Sequence, residues 1–193
     1  MQMQTPSVFD RAMAMWRQID FPSASPASID PYLSQLKGTY QNGKIVQAAF
    51  SMPDSADFSD FVARGTLRDM YFFERFWRAS NVSRALPYTP HDLNFLSADL
   101  FNSISPVELP GSLASILVRG GAYGKNIPTA RKAMELGHAA AEALLAEDFE
   151  TPQVYVSNVA WSGFFCDVAW DYSWVIVRPA DRHIEVLLAT DTD

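Results

Sequence analysis

Residues 153–193, QVYVSNVAWSGFFCDVAWDYSWVIVRPADRHIEVLLATDTD, decide the fold class. Three runs within them, Val154–Ala160, Asp171–Arg178 and His183–Thr190, are rich in β-branched and aromatic residues, the types that suit a pleated, half-buried surface. They read as three strands. Between the second and third stands Pro179-Ala180-Asp181-Arg182, where proline fixes φ and aspartate favours a turn, so these two form an antiparallel hairpin. Alternation places Tyr172, Trp174 and Ile176 on one face of the second strand and Ser173, Val175 and Val177 on the other. Both sets are largely apolar. Such a strand belongs in the middle of a sheet covered on both sides, or in a sheet whose open face binds something.

Upstream of this stretch, residues 128–147 predict the longest helix, with Arg131, Glu135, His138 and Glu142 on one stripe and Ala133, Met134, Leu136, Ala140, Leu144 and Leu145 opposite. Before it, GGAYGK at 120–125 follows SLASILVR at 112–119, which reads as a buried strand. Thr89-Pro90-His91-Asp92 opens a helix over 90–103 with Leu93, Leu96, Leu100 and Phe101 on its apolar side. Residues 67–80 predict one aromatic helix carrying Tyr71, Phe72, Phe73, Phe76 and Trp77, whose rings belong in the core. A short helix covers 58–64. Asn42-Gly43 offers a type I′ turn, so 37–41 and 44–50 read as a hairpin. Residues 21–31 form a loop, and Ser7 with Asp10 makes a capping box for a first amphipathic helix that ends before Pro22. The sum is an α+β domain over 1–193: a mainly antiparallel sheet, from the N-terminal hairpin, the run near 113–119 and a C-terminal three-strand meander, covered by about five helices.

Composition bounds the function. The chain has 193 residues, 48% hydrophobic and 13% aromatic, which excludes general disorder. No apolar run is long enough for a membrane span, and the first residues lack a basic segment followed by an apolar one, so neither a span nor a secretory leader is expected. One cysteine, Cys166, allows no internal disulfide and fits a reducing cytoplasm. The net charge is −7, but ten acidic and two basic residues lie from Glu142 onward, leaving +1 for the rest. That field disfavours nucleic acid and anionic membrane, and it favours a basic partner or a cation.

Several catalytic patterns are incomplete. GGAYGK misses the phosphate-loop pattern at Arg119 and Asn126. Cys166 with His183 and an orienting Asp167 or Asp171 has the residue types of a nucleophile and base, but Phe164, Phe165 and Val168 suggest an inert thiol. Asp167, Asp171, Glu185, Asp191 and Asp193 have the chemistry of a Mg²⁺ or Ca²⁺ site without its spacing. No zinc or iron pattern occurs. No catalytic residue, metal ligand or cofactor is therefore assigned. The remaining signal is the mixture of aromatic and acidic residues near the C-terminus. The expected partner-binding set is Trp161, Phe164, Asp167, Trp170, Asp171, Tyr172, Glu185, Asp191 and Asp193. The expectation is a cytoplasmic interaction protein, specifically a bacterial immunity or antitoxin-type inhibitor that sequesters a basic toxin such as a nuclease. The alternatives are a ligand-binding protein or enzyme using a cleft between GGAYGK and the C-terminal strands, and a homodimer or larger structural assembly that buries the apolar strand faces.

Overall fold

The computed structural model describes residues 7–88 and 96–193. Its strands are β1 (Ser23–Ala24), β2 (Lys44–Ser51), β3 (Asn102–Ile104), β4 (Gln153–Ser157), β5 (Tyr172–Arg178) and β6 (His183–Thr190). They form one antiparallel sheet in the order β1-β2-β6-β5-β4-β3. Seven α-helices accompany it among the described residues: α1 (Val8–Trp16), α2 (Asp30–Thr39), α3 (Ala56–Ala63), α4 (Phe72–Phe76), α5 (Ser80–Ala85), α6 (Leu109–Arg119) and α7 (Ala130–Leu145). The fold is α+β, and the C-terminal meander is present as β4-β5-β6, with Tyr172 opposite Ala189 and Arg178 opposite His183.

The sheet is covered on both sides, as the two apolar faces of β5 require. One face carries Phe50, Tyr155, Val175, Val177, Ile184, Val186 and Leu188 against α1, α3, α4 and α5. Its packing is aromatic: Phe73 stacks on Phe101 at 4.0 Å between ring centroids, and Trp77 on Trp161 at 4.4 Å. The other face carries Val154, Trp174, Ile176, Leu187 and Ala189 against α2, α6 and α7, with mostly aliphatic partners. Within that layer α6 and α7 approach closely: a Cβ added at Gly137 would lie 2.6 Å from the Pro110 carbonyl oxygen and 2.9 Å from the Ala114 nitrogen. Only glycine fits at that crossing.

Four expectations need correction. Residues 37–41 are not a strand of an Asn42-Gly43 hairpin. They end α2, whose Pro31 sits in the first turn and whose Tyr32, Leu36 and Thr39 are buried at helical spacing. Instead β2 pairs with β6 and β1. SLASILVR is helical, because Leu109, Leu113, Ile116 and Leu117 form one buried stripe and the sheet already has its strands. A short apolar run fits both periods, and here the capping box of Ser105 and Glu108 marks the helical choice. The aromatic helix over 67–80 is broken: a 3-10 turn covers Arg68–Met70, Tyr71 adopts left-handed φ of 63°, and α4 and α5 follow separately. Phe72, Phe73, Phe76 and Trp77 lie on one side of α4 and its cap and are all buried, whereas Tyr71, at the break, stays exposed. Of the helix expected over 90–103, residues 90–95, His91 and Leu93 included, lie outside the described residues; Ala98–Leu100 is one 3-10 turn and Asn102–Ile104 is β3.

Candidate functional site

The loops after α2, α6 and β4 and the end of β6 gather at one end of the sheet, and two buried aspartates hold them there. Asp191 accepts the Asn42 N–H at 3.1 Å and the Ala122 N–H at 2.9 Å. Its carboxylate fills the space where a Cβ on Gly121 would stand, 2.1 Å from Oδ2. The GGAYGK loop thus captures an anion through a backbone amide, and the anion is this chain's own side chain. Asp171 accepts the Val168 N–H at 3.0 Å, the Cys166 N–H at 3.4 Å and the Thr190 hydroxyl, which closes the loop between β4 and β5 onto β6. Tyr40 is buried beside the same groups. Burial, then neighbouring Tyr172, Asp191 and Asp171, push its pKa well up, with Arg119 acting the other way.

These contacts redistribute the sequence-predicted partner surface. Trp161 is buried in the aromatic core and donates from Nε1 to Ser173 Oγ at 2.8 Å; Phe164 is buried beside it. Asp171 and Asp191 are interior, and so is Glu185, at the opposite end of β6. Glu185 Oε1 accepts the Ala27 N–H at 2.7 Å and lies 2.9 Å from His183 Nε2, so it pins the loop before α2. Only Asp167 and Asp193 are exposed, with Trp170 and Tyr172 half-buried. The Cys166 and His183 pairing does not form: Cys166 is exposed at the loop end, while His183 begins β6, roughly 23 Å away along the strand. The five candidate metal-binding carboxylates do not converge, and no group of three or more His, Cys, Asp or Glu side chains that could hold a metal occurs among the described residues.

The surface with unpartnered apolar area lies elsewhere, along the seam of α6 and α7. Val107, Met134 and Val118 are 66%, 50% and 42% exposed along it. Two hollows of about 540 and 350 Å³ follow the seam and share Gly111 and Met134, so they form one continuous groove. Its length is close to that of α6, roughly 16 Å for eleven residues. At the α7 C-terminal end the groove is lined by Val107, Pro110, Met134, His138 and Phe149, and the charged residue among its lining, His138 apart, is Glu108. His138 Nδ1 stands 3.5 Å from Glu142. Glu147 and Glu150 follow, exposed and in no ion pair among the described residues. Arg131 and Lys132, toward the other end of α7, are balanced by Glu135.

No protein-family model, curated protein or solved structure matches this chain.

The geometry of the seam is that of a receiving groove: an apolar floor, a close-packed helix pair beneath it, and carboxylates at one end. Sequence reading had Met134 on the inner face of α7 and so missed the groove. The available signal was Gly137, a mid-helix glycine that marks the close approach of α6 beside which Met134 lies half-exposed.

Proposed function

We propose that this chain is an interaction protein that receives a basic, amphipathic segment of a partner along the α6–α7 seam. The observation that carries the proposal is an exposed apolar groove about three helical turns long, lined at the C-terminal end of α7 by Glu108 and His138, with Glu142 3.5 Å from His138 and Glu147 and Glu150 following in the chain, and lined by Arg119 at its other end. An apolar stripe would bury Val107, Met134 and Val118, while lysines or arginines beside the stripe would meet the carboxylates. The biological setting that suits such a surface is neutralisation of a basic toxin in the bacterial cytoplasm by an immunity-type inhibitor. No helix among the described residues is long and apolar enough to cross a membrane.

The experiment is capture from the native host with the tagged protein at low and high salt, using wild type and Met134→Asp. The proposal expects a stoichiometric basic partner with the wild type, weaker at high salt and lost from the variant while its melting temperature holds. A partner retained equally by Met134→Asp, or one indifferent to salt, would rule out this seam as the binding face.

A further inference from the structure

Next to the seam, and sharing Ser115 and Arg119 with its far end, α6 faces a second hollow, of about 380 Å³, walled by β3, β4 and β5. Its chemistry differs from that of the seam's acidic end. From α6 it receives Ser112, Ser115 and Arg119, one stripe at helical spacing, and from β5 it receives Tyr172 and Trp174, neighbours on one face. Asn102 and Asn158 also line it, and its lining among the described residues holds one cation, Arg119, and no carboxylate.

The hydrogen bonds leave it rich in free donors. Arg119 donates from Nη1 to Tyr172 Oη at 2.9 Å, and Trp174 donates from Nε1 to Ser112 Oγ at 3.0 Å. Each hydroxyl already accepts a bond inside the protein and keeps its own O–H for something else. The remaining guanidinium N–H groups have no carboxylate partner among the described residues. Below them half-buried Tyr172 stacks on buried Trp174 at 5.6 Å with an 18° interplanar angle, so the tryptophan fixes the tyrosine ring, and Ile104 and Val156 add apolar surface.

We infer that this hollow binds a small organic monocarboxylate with an apolar or aromatic body. A planar guanidinium pairs a carboxylate with two parallel bonds, and the Tyr172 and Ser112 hydroxyls stand ready to donate to the same anion. One cation balances one negative charge; a phosphate, carrying between one and two, would be left with a surplus that nothing in the hollow offsets. Tyr172, Ile104 and Val156 take the ligand's body, and the volume is that of a small-molecule site. The acid comes either from a free small molecule or from the C-terminus of a peptide.

The test follows the side-chain N–H signals of Arg119 and Trp174 by NMR while titrating phenylacetate, phenylacetamide, inorganic phosphate, and the tripeptide Gly-Gly-Phe as free acid and as amide. Phenylacetate should shift both signals saturably, and phenylacetamide and phosphate should bind about tenfold more weakly or less. Arg119→Gln should abolish the preference for acid over amide, and Tyr172→Phe should weaken acid binding several-fold; Arg119 is exposed, so the fold should hold. Tighter binding of Gly-Gly-Phe acid than phenylacetate would identify the source as a chain terminus, and the reverse a free acid. Equal affinity for acid and amide, the absence of a saturable shift, or a preference that survives Arg119→Gln would overturn the inference.

Discussion

At the loop end of the sheet, Asp171 and Asp191 turn inward and accept backbone amides from three loops; at the end of α7, Glu142, Glu147 and Glu150 stand outward, and of these Glu142 alone has a side-chain partner among the described residues, the His138 imidazole. Both regions belong to the acidic last quarter of the chain. The difference between them is burial, and burial separates two roles that one charge count merges. A carboxylate that satisfies amides in the interior is a brace whose field is spent locally, whereas one on an exposed helix end contributes to the field a partner meets. The surface that recognises a basic partner is therefore set by which acids remain outside.

Substitution is the direct way to break that distinction. Asp191→Ala should have the largest effect, because it removes the buried acceptor of the Asn42 and Ala122 amides, both part-buried, at up to about 1–3 kcal/mol each; denaturant unfolding measures it, and a loss under about 0.5 kcal/mol would show that Asp191 braces nothing. Gly121→Ala comes next. Its Cβ meets the Asp191 carboxylate and the Thr39 carbonyl oxygen at 2.1 and 2.8 Å, and relieving such overlap costs about 1–3 kcal/mol. Alkaline pH gives a third measure, from both sides of the sheet. Burial raises the Tyr155 pKa from 10.0 to about 12 and moves Tyr32, Tyr40 and Tyr88 in the same direction. A raised folded-state pKa means stability is complete below pH 10.0 and falls as pH rises toward about 12, which unfolding curves at stepped pH should show. Smallest of all, Glu147→Ala and Glu150→Ala should change stability by less than about 0.5 kcal/mol, since neither side chain holds an ion pair among the described residues.

Much of the sheet was legible because strand alternation is a local property. The two apolar faces of β5 implied either cover on both sides or an open binding face, of which the structure shows the first, and the Pro179 turn implied the hairpin with β6. The 112–119 run was not legible, because eight apolar-rich residues satisfy a buried strand and a buried helix alike and only the sheet's other partners decide. The same holds for 37–41, where Asn42-Gly43 suggested a hairpin locally while the neighbour of β2 came from the far end of the chain. Asp171 and Asp191 were found as unusual residues and given the wrong side of the surface: no sequence spacing tells a carboxylate that caps distant amides from one that faces water. The Arg119 hollow was half legible. A cleft between the GGAYGK loop and the C-terminal strands was expected, and the hollow shares the strands with it but takes its other wall from α6, with no residue of 120–125 in its lining.

The most direct test of the division between braces and recognition is one binding comparison with the captured partner. Two charge-reversed proteins are set beside wild type, one carrying Asp167→Lys and Asp193→Lys at the loop end, the other Glu142→Lys, Glu147→Lys and Glu150→Lys at the end of α7. All five positions are exposed, so both proteins should fold. The account predicts that the α7 variant loses affinity by about tenfold or more while the loop-end variant stays near wild type. Full affinity in the α7 variant together with loss in the loop-end variant would contradict it and return recognition to the aspartates of the C-terminal loops.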